Sequence, residues 1–237
     1  MAEDVKRVRS IGIIGQGGVG KTSVADALLF AAGAVNRQGR VDEQNSVFDF
    51  EPEEHQRRSS LSTSLYSFEW DGHDVTLLDT PGYANFLPDA LCCLRACTGT
   101  VLVAAPHAGE LRVEAEQMWT RVQELGLPAI AFVTRMDREN ATLAEALAGM
   151  KNVLGANPVA VQYPIGSGHE FRGVVDLMSR KAYLLGDDGT VHEAPVPAEL
   201  EAEVAAAREH MIELAAEAND DYTERYLEEG TLTDEET

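Results

Sequence analysis

The apolar positions of this chain follow two rhythms. Residues 8–14 form a short apolar run that ends in a glycine-rich stretch, and residues 21–32 follow with Val24, Leu28 and Leu29 at helical spacing. That predicts strand, loop, helix. The unit then recurs: residues 75–78 read as a strand, 86–97 as a helix, 100–105 as a buried strand, 110–125 as a helix, 129–133 as a strand and 141–154 as a helix. Such alternation predicts an α/β fold with a mainly parallel sheet, helices on both faces, and ligands at the carboxyl ends of the strands.

Two stretches break the pattern. Residues 33–60 are polar, charged and too long for an inert connector, so a mobile functional loop is expected there. Beyond residue 154 the strands become short: 159–163, 171–178 and 182–185, with a turn at 186–189. Pro197 then opens a helix that carries Leu200, Val204, Met211, Leu214 and Ala218. The expected organisation is a core over residues 1–155 and an α+β unit over residues 156–237.

Composition narrows the class. The 237 residues are 44% hydrophobic and 25% charged, as in ordinary globular proteins. The formal charge of −21 opposes binding to a nucleic-acid backbone or to anionic lipid. Residues 180–237 are the acidic part, with 4 basic and 17 acidic side chains. No apolar run reaches the roughly twenty residues of a membrane span, and the charged N-terminus is unlike a secretory leader. Cys92, Cys93 and Cys97 crowd one predicted helix, which makes a disulfide framework implausible and points to a reducing, cytoplasmic setting. Cys93 and Cys97 read as small core residues, and Trp70 and Trp119 as packing residues. The six histidines lack metal-ligand spacing.

Gly15-Gln16-Gly17-Gly18-Val19-Gly20-Lys21-Thr22 matches G-x-x-x-x-G-K-[ST] between a strand and a helix. Glycines let successive N–H groups converge on phosphate oxygens, and the helix N-terminus adds positive potential. Lys21 reaches the β and γ phosphates, and Thr22 ligands Mg²⁺. Asp79-Thr80-Pro81-Gly82 ends a strand, where an aspartate can hold Mg²⁺ through water and a glycine N–H can sense the γ-phosphate. Thr134-Arg135-Met136-Asp137 follows another strand, and a carboxylate there can accept both N1–H and the exocyclic amine of guanine.

These landmarks, with residues 132–138 and Gln162-Tyr163-Pro164-Ile165-Gly166, resemble those of the translational GTPases, most closely the elongation factor G group. Residues 171–177, Lys181-Ala182-Tyr183 and the acidic helix are similar to the subdomain that this group inserts into its GTP-binding domain. The resemblance implies GTP/GDP and Mg²⁺ as cofactors, a ribosomal partner, and a stalk-protein contact through the acidic insert. It also implies that the chain stops before the last strand and the Ser-Ala guanine motif of that domain.

Several positions depart from the family. Gln16 and Gly18 stand where His and Asp are usual. A gap-free count back from Trp70 puts the Mg²⁺-binding threonine of the first switch on Ser60, within Arg57-Arg58-Ser59-Ser60. Tyr83 replaces the histidine that positions the attacking water, and a phenol does not exchange a proton near neutral pH as imidazole does. The resemblance thus implies Lys21 and Tyr83 as the catalytic positions. Thr134-Arg135 replaces Asn-Lys, and Thr134 lacks the carboxamide that bonds base and phosphate loop. Two alternatives follow: a GTP-sensing module without turnover, and a partitioning-type P-loop ATPase, which Gln16 disfavours because those enzymes carry lysine there.

Overall fold

Five strands carry the apolar runs of the first half: β1 (Val8–Ile14), β2 (Ser64–Trp70), β3 (His73–Asp79), β4 (Gly99–Ala104) and β5 (Ala129–Val133). They form one sheet in the order β2-β3-β1-β4-β5, parallel throughout except for β2, which runs antiparallel to β3. The computed structural model describes residues 5–186, 189–217 and 219–233. The chain divides into two units, residues 1–134 with 152–155 and residues 135–151 with 156–237.

β1 is central, and its last three residues are buried. Ile13, Leu77 and Val103 from three adjacent strands pack with Val24, Ala25 and Leu29 of helix α1 (Lys21–Ala31) and with Phe48. Burial of such side chains supplies about 1.5–3 kcal/mol each. Gly12 keeps the sheet close to its neighbours, because a Cβ there would stand 2.9 Å from the Cys97 sulfur. Cys97 is buried and Cys93 half-buried, both as free thiols.

Residues 33–60 contain more structure than their polarity predicts. A 3-10 turn at Val41–Glu43 and helix α2 (Pro52–Arg57) lie within them, and Phe48 is fully buried. Glu54, also fully buried, accepts from the N–H groups of Glu51 at 3.2 Å and Leu61 at 2.8 Å. β2 escaped the sequence pattern because its ends read against the alternation: Ser64 is buried although polar, Leu65 is exposed on the opposite face and Trp70 is exposed at the strand's end, whereas Tyr66 and Phe68 between them pack against the core. Trp70 is thus a surface residue of an edge strand and not a packing residue. The helix expected over 86–97 is α3 (Leu87–Cys93) followed by a 3-10 turn, Leu94–Ala96, since Cys97 is already extended on its way into β4. Helix α4 (Val113–Leu125) follows, and α5 (Leu143–Leu154) runs from the second unit into the first.

The second unit holds the antiparallel meander β6 (Gln162–Ile165), β7 (Gly173–Asp176), β8 (Lys181–Leu185) and β9 (Val191–Ala194). β7 ends at Asp176 because that carboxylate accepts the N–H groups of Met178 and Ser179 at 2.8 and 2.9 Å, a local turn that competes with the ladder. The predicted turn at 186–189 centres on Asp187 and Asp188, which lie outside the described residues. The single acidic helix expected after Pro197 is two. α6 (Glu201–Ala216) packs Val204 and Met211 on Ile165, Val175, Leu177 and Ala182. α7 (Asp220–Glu229) starts anew because Asn219 caps it, accepting from the Asp221 N–H at 2.8 Å.

Candidate functional site

The phosphate loop leaves the buried carboxyl end of the central strand. Gly15 has φ +137°, and any Cβ on it would collide with the Val103 carbonyl. Gly20 stands at the N-cap of α1 with φ +101° and no side-chain cap, and the first turn carries no acidic residue. The first N–H groups of α1 are thus left for an anion, which the helix dipole also favours.

Lys21 is 6% exposed and donates from Nζ to the Gln16 carbonyl at 3.1 Å. Burial lowers its pKa, and the Asp79 carboxylate partly restores it. Asp79 is fully buried at the end of β3, and burial pushes its pKa up to about 6 against the opposing pull of Lys21 and the Thr22 hydroxyl. Thr22 Oγ1 donates to Asp79 Oδ2 at 2.6 Å and lies 3.2 Å from Ser60 Oγ, which in turn reaches Asp79 Oδ2 at 3.4 Å. Asp79 Oδ1 is buried with no hydrogen-bond partner. Three oxygen-bearing side chains from α1, the long loop and β3 therefore converge, with one acceptor atom unused. Such a hard donor set with a single carboxylate fits Mg²⁺, whose remaining positions are usually filled by phosphate and water. Among the described residues no cluster of three or more His, Cys, Asp or Glu offers an all-protein cage.

The turn after β3 is stitched to β1: Thr80 Oγ1 donates to the Ile13 carbonyl at 2.7 Å. Gly82 lies against the phosphate loop, where a Cβ would meet the Lys21 ammonium, the Gln16 carbonyl carbon at 2.5 Å and the Gly17 nitrogen at 2.6 Å. Gln16 is buried, and its Nε2 donates to the Glu110 carbonyl at 2.5 Å. Thr134 corrects an expectation. Although it lacks a carboxamide, its hydroxyl donates to the Val19 carbonyl of the phosphate loop at 2.9 Å. A short side chain suffices because the Thr134 N–H is already fixed on the Ala104 carbonyl at 2.9 Å. Arg135, Met136 and Asp137 belong to the second unit, with Arg135 in the left-handed region at φ 61°.

Sequence reasoning missed the acids that hold the long loop. Asp26, on α1, accepts from the Val47 N–H at 3.4 Å and from the Ser46 hydroxyl. Gly39 crosses so close that a Cβ would lie 2.6 Å from Asp26 Oδ1. Asp49 bonds Ser60, and burial together with nearby Glu54 and Asp26 raises its pKa. The available signal was an aspartate four positions past Thr22 and three before Leu29, on one side of α1.

Comparison with known proteins agrees with this geometry. Residues 6–222 match the family described as the elongation factor Tu GTP binding domain. Elongation factor G of Thermotoga petrophila and of Thermotoga maritima are each 34% identical over 235 residues. That alignment spans 98% of this chain and 34% of each relative, so the chain covers about a third of their length. A crystal structure from Thermus thermophilus superposes with a TM-score of 0.84 at 30% identity, over 94% of this chain and 33% of that one. With a phosphate loop on the central strand, an aspartate-led turn packed against it and a match over residues 6–222, the chain belongs to the GTP-binding domain family of elongation factors Tu and G.

Proposed function

We propose that this chain is the GTP-binding part of an elongation factor G-like translation factor, which binds GTP with Mg²⁺ and hydrolyses it to GDP and phosphate on the ribosome, in a translocation or ribosome-disassembly role. The observation that carries the reading is the convergence of Lys21, Thr22, Ser60 and Asp79 at the carboxyl end of β1. Residues 15–22 would hold the phosphates, with Lys21 as the catalytic charge. Thr22 and Ser60 would ligand Mg²⁺ directly and Asp79 through water. Bound there, Mg²⁺ would neutralise charge on the β and γ oxygens. Gly82, which lies against Lys21, would donate its N–H to a terminal phosphate, and Thr80 and Pro81 would hold that turn. Asp137 would select guanine, with the stem of Arg135 over the base and Thr134 linking the base motif to the phosphate loop. The core would span residues 1–155 and the acidic insert residues 156–237. The ribosome, a stalk protein met through the insert, and a cytoplasmic setting come from the family.

Tyr83 favours a second reading, a GTP sensor with slow or no turnover, because a phenol does not relay protons near neutral pH as imidazole does. Equilibrium titration with GTP, GDP and ATP tests both. Guanine nucleotides should bind about a hundredfold or more tighter than ATP, and Lys21→Ala should weaken GTP by about 10- to 100-fold. Equal affinity for ATP and GTP would reject the assignment. Phosphate release with ribosomes then separates enzyme from sensor.

A further inference from the structure

The residue after Gly82 makes a contact that nucleotide binding does not require. A Cβ on Gly17 would stand 2.7 Å from Cζ and 2.8 Å from Cε1 and Cε2 of Tyr83, so the ring fills the volume that a side chain at position 17 would occupy. The phenol oxygen reaches the edge of Gly18, 4.0 Å from where its Cβ would lie. Tyr83 is nevertheless 43% exposed, which excludes a core role, and its backbone is relaxed at φ −94°, ψ 147°. Packing on the glycines holds the ring.

The place of this contact gives it meaning. A phosphate-loop lysine reaches the β and γ phosphates, so the Lys21 ammonium marks the terminal-phosphate end of the loop. Gly82 lies on that ammonium, and Tyr83 extends from Gly82 across Gly17. Hydrolysis needs a water in line with the bond it breaks. The water oxygen bonds to the γ-phosphorus while the bond to the β–γ bridging oxygen breaks. The electron pair leaves on GDP, and the water protons pass to phosphate and solvent. That water arrives from beyond the terminal phosphate, the end of the loop against which Gly82 and Tyr83 pack.

We infer that Tyr83 is a shield seated in the vacancy left by Gly17, which excludes the attacking water from the terminal-phosphate side until the ring is displaced. This rests on the GTP-binding reading above. The apolar ring keeps the triphosphate state long-lived, and Gly17 is what lets the ring lie down.

The test is single-turnover GTP hydrolysis by the full chain and by Tyr83→Ala, Gly17→Ala and the double variant, with GTP binding measured first by calorimetry. Gly17 is outside the left-handed region, so alanine is acceptable to its backbone and disturbs chiefly the ring. Tyr83→Ala should raise the rate by about tenfold or more, Gly17→Ala should raise it similarly, and the double variant should be no faster than Tyr83→Ala. In thermal unfolding, Gly17→Ala should destabilise the parent but not Tyr83→Ala. Normal GTP binding with no rise in rate, including no detectable turnover in any variant, overturns the shield and leaves the GTP-binding reading standing. An equal thermal cost of Gly17→Ala in both backgrounds overturns it too. Failure of the parent to bind GTP removes both.

Discussion

At the residue scale, the carboxyl groups around the phosphate loop are raised in pKa because burial takes water from them faster than their partners replace it. Asp26 is the case away from the proposed metal ligands. Its pKa is raised from 3.8, chiefly by desolvation, with the Ser46 and Val47 bonds opposing. The folded state therefore holds that proton more tightly than the unfolded chain does. Stability from this group is present below its ordinary value and is lost as pH rises through the raised one. Asp26→Asn keeps an acceptor for Val47 and removes the charge. Chemical denaturation of the nucleotide-free protein at a series of pH values should show a smaller loss of stability above pH 3.8 in the variant. An identical slope would place the burden elsewhere. At Thr134, replacement by valine removes the 2.9 Å bond to the Val19 carbonyl while keeping the shape. The cost should be about 1 kcal/mol, read as an equivalent loss in unfolding free energy, since a buried carbonyl loses its donor.

At the scale of elements, the long loop between α1 and β2 is the one whose behaviour its sequence least foretells. Its polarity predicts mobility, yet Phe48 is 1% exposed and meets Tyr66 edge-on at 6.4 Å. α2 is closed by a reciprocal pair of bonds between Glu51 and Glu54. Phe48→Ala should therefore cost about 3–5 kcal/mol and expose residues 33–60 to limited proteolysis. A loss under about 1 kcal/mol in denaturant titration would mean the loop is held by its polar anchors alone. Ser60 is presented to Thr22 by this same loop, so loosening Phe48 should also weaken Mg²⁺-dependent nucleotide binding.

For the whole molecule, a net charge of −21 on 237 residues sets a self-repulsion that the described ion pairs do not cancel. Those pairs lie on the surface, such as Arg172 with Glu199 at 3.2 Å and Lys181 with Glu193 at 2.8 Å. Surface pairs contribute little. Screening should then stabilise the fold: raising salt from about 20 to about 200 mM should raise the thermal midpoint by a few degrees. A fall instead would show that the ion pairs dominate. The second unit, where residues 180–237 concentrate 17 acidic side chains, should account for most of the change.

What the chain determines by itself is the chemistry that depends on local spacing. Residues 15–22 had to form a phosphate loop because glycines, lysine and threonine fall between an apolar run and a helical one. The place of Asp79 at a strand end was likewise legible, and the family resemblance, counted back from Trp70, pointed to Ser60, which lies 3.4 Å from Asp79. Tertiary structure alone decided what depends on distant partners: that Ser64 and not Leu65 faces inward on β2, and that Phe48 leaves a polar loop for the core. It also decided that Asp26 anchors that loop, that Thr134 reaches Val19, and that Tyr83 lies on Gly17. The physical reason is range. Backbone conformation and amphipathic period are set within a few residues, whereas burial and hydrogen-bond partnership are fixed by whichever segments the sheet order brings together.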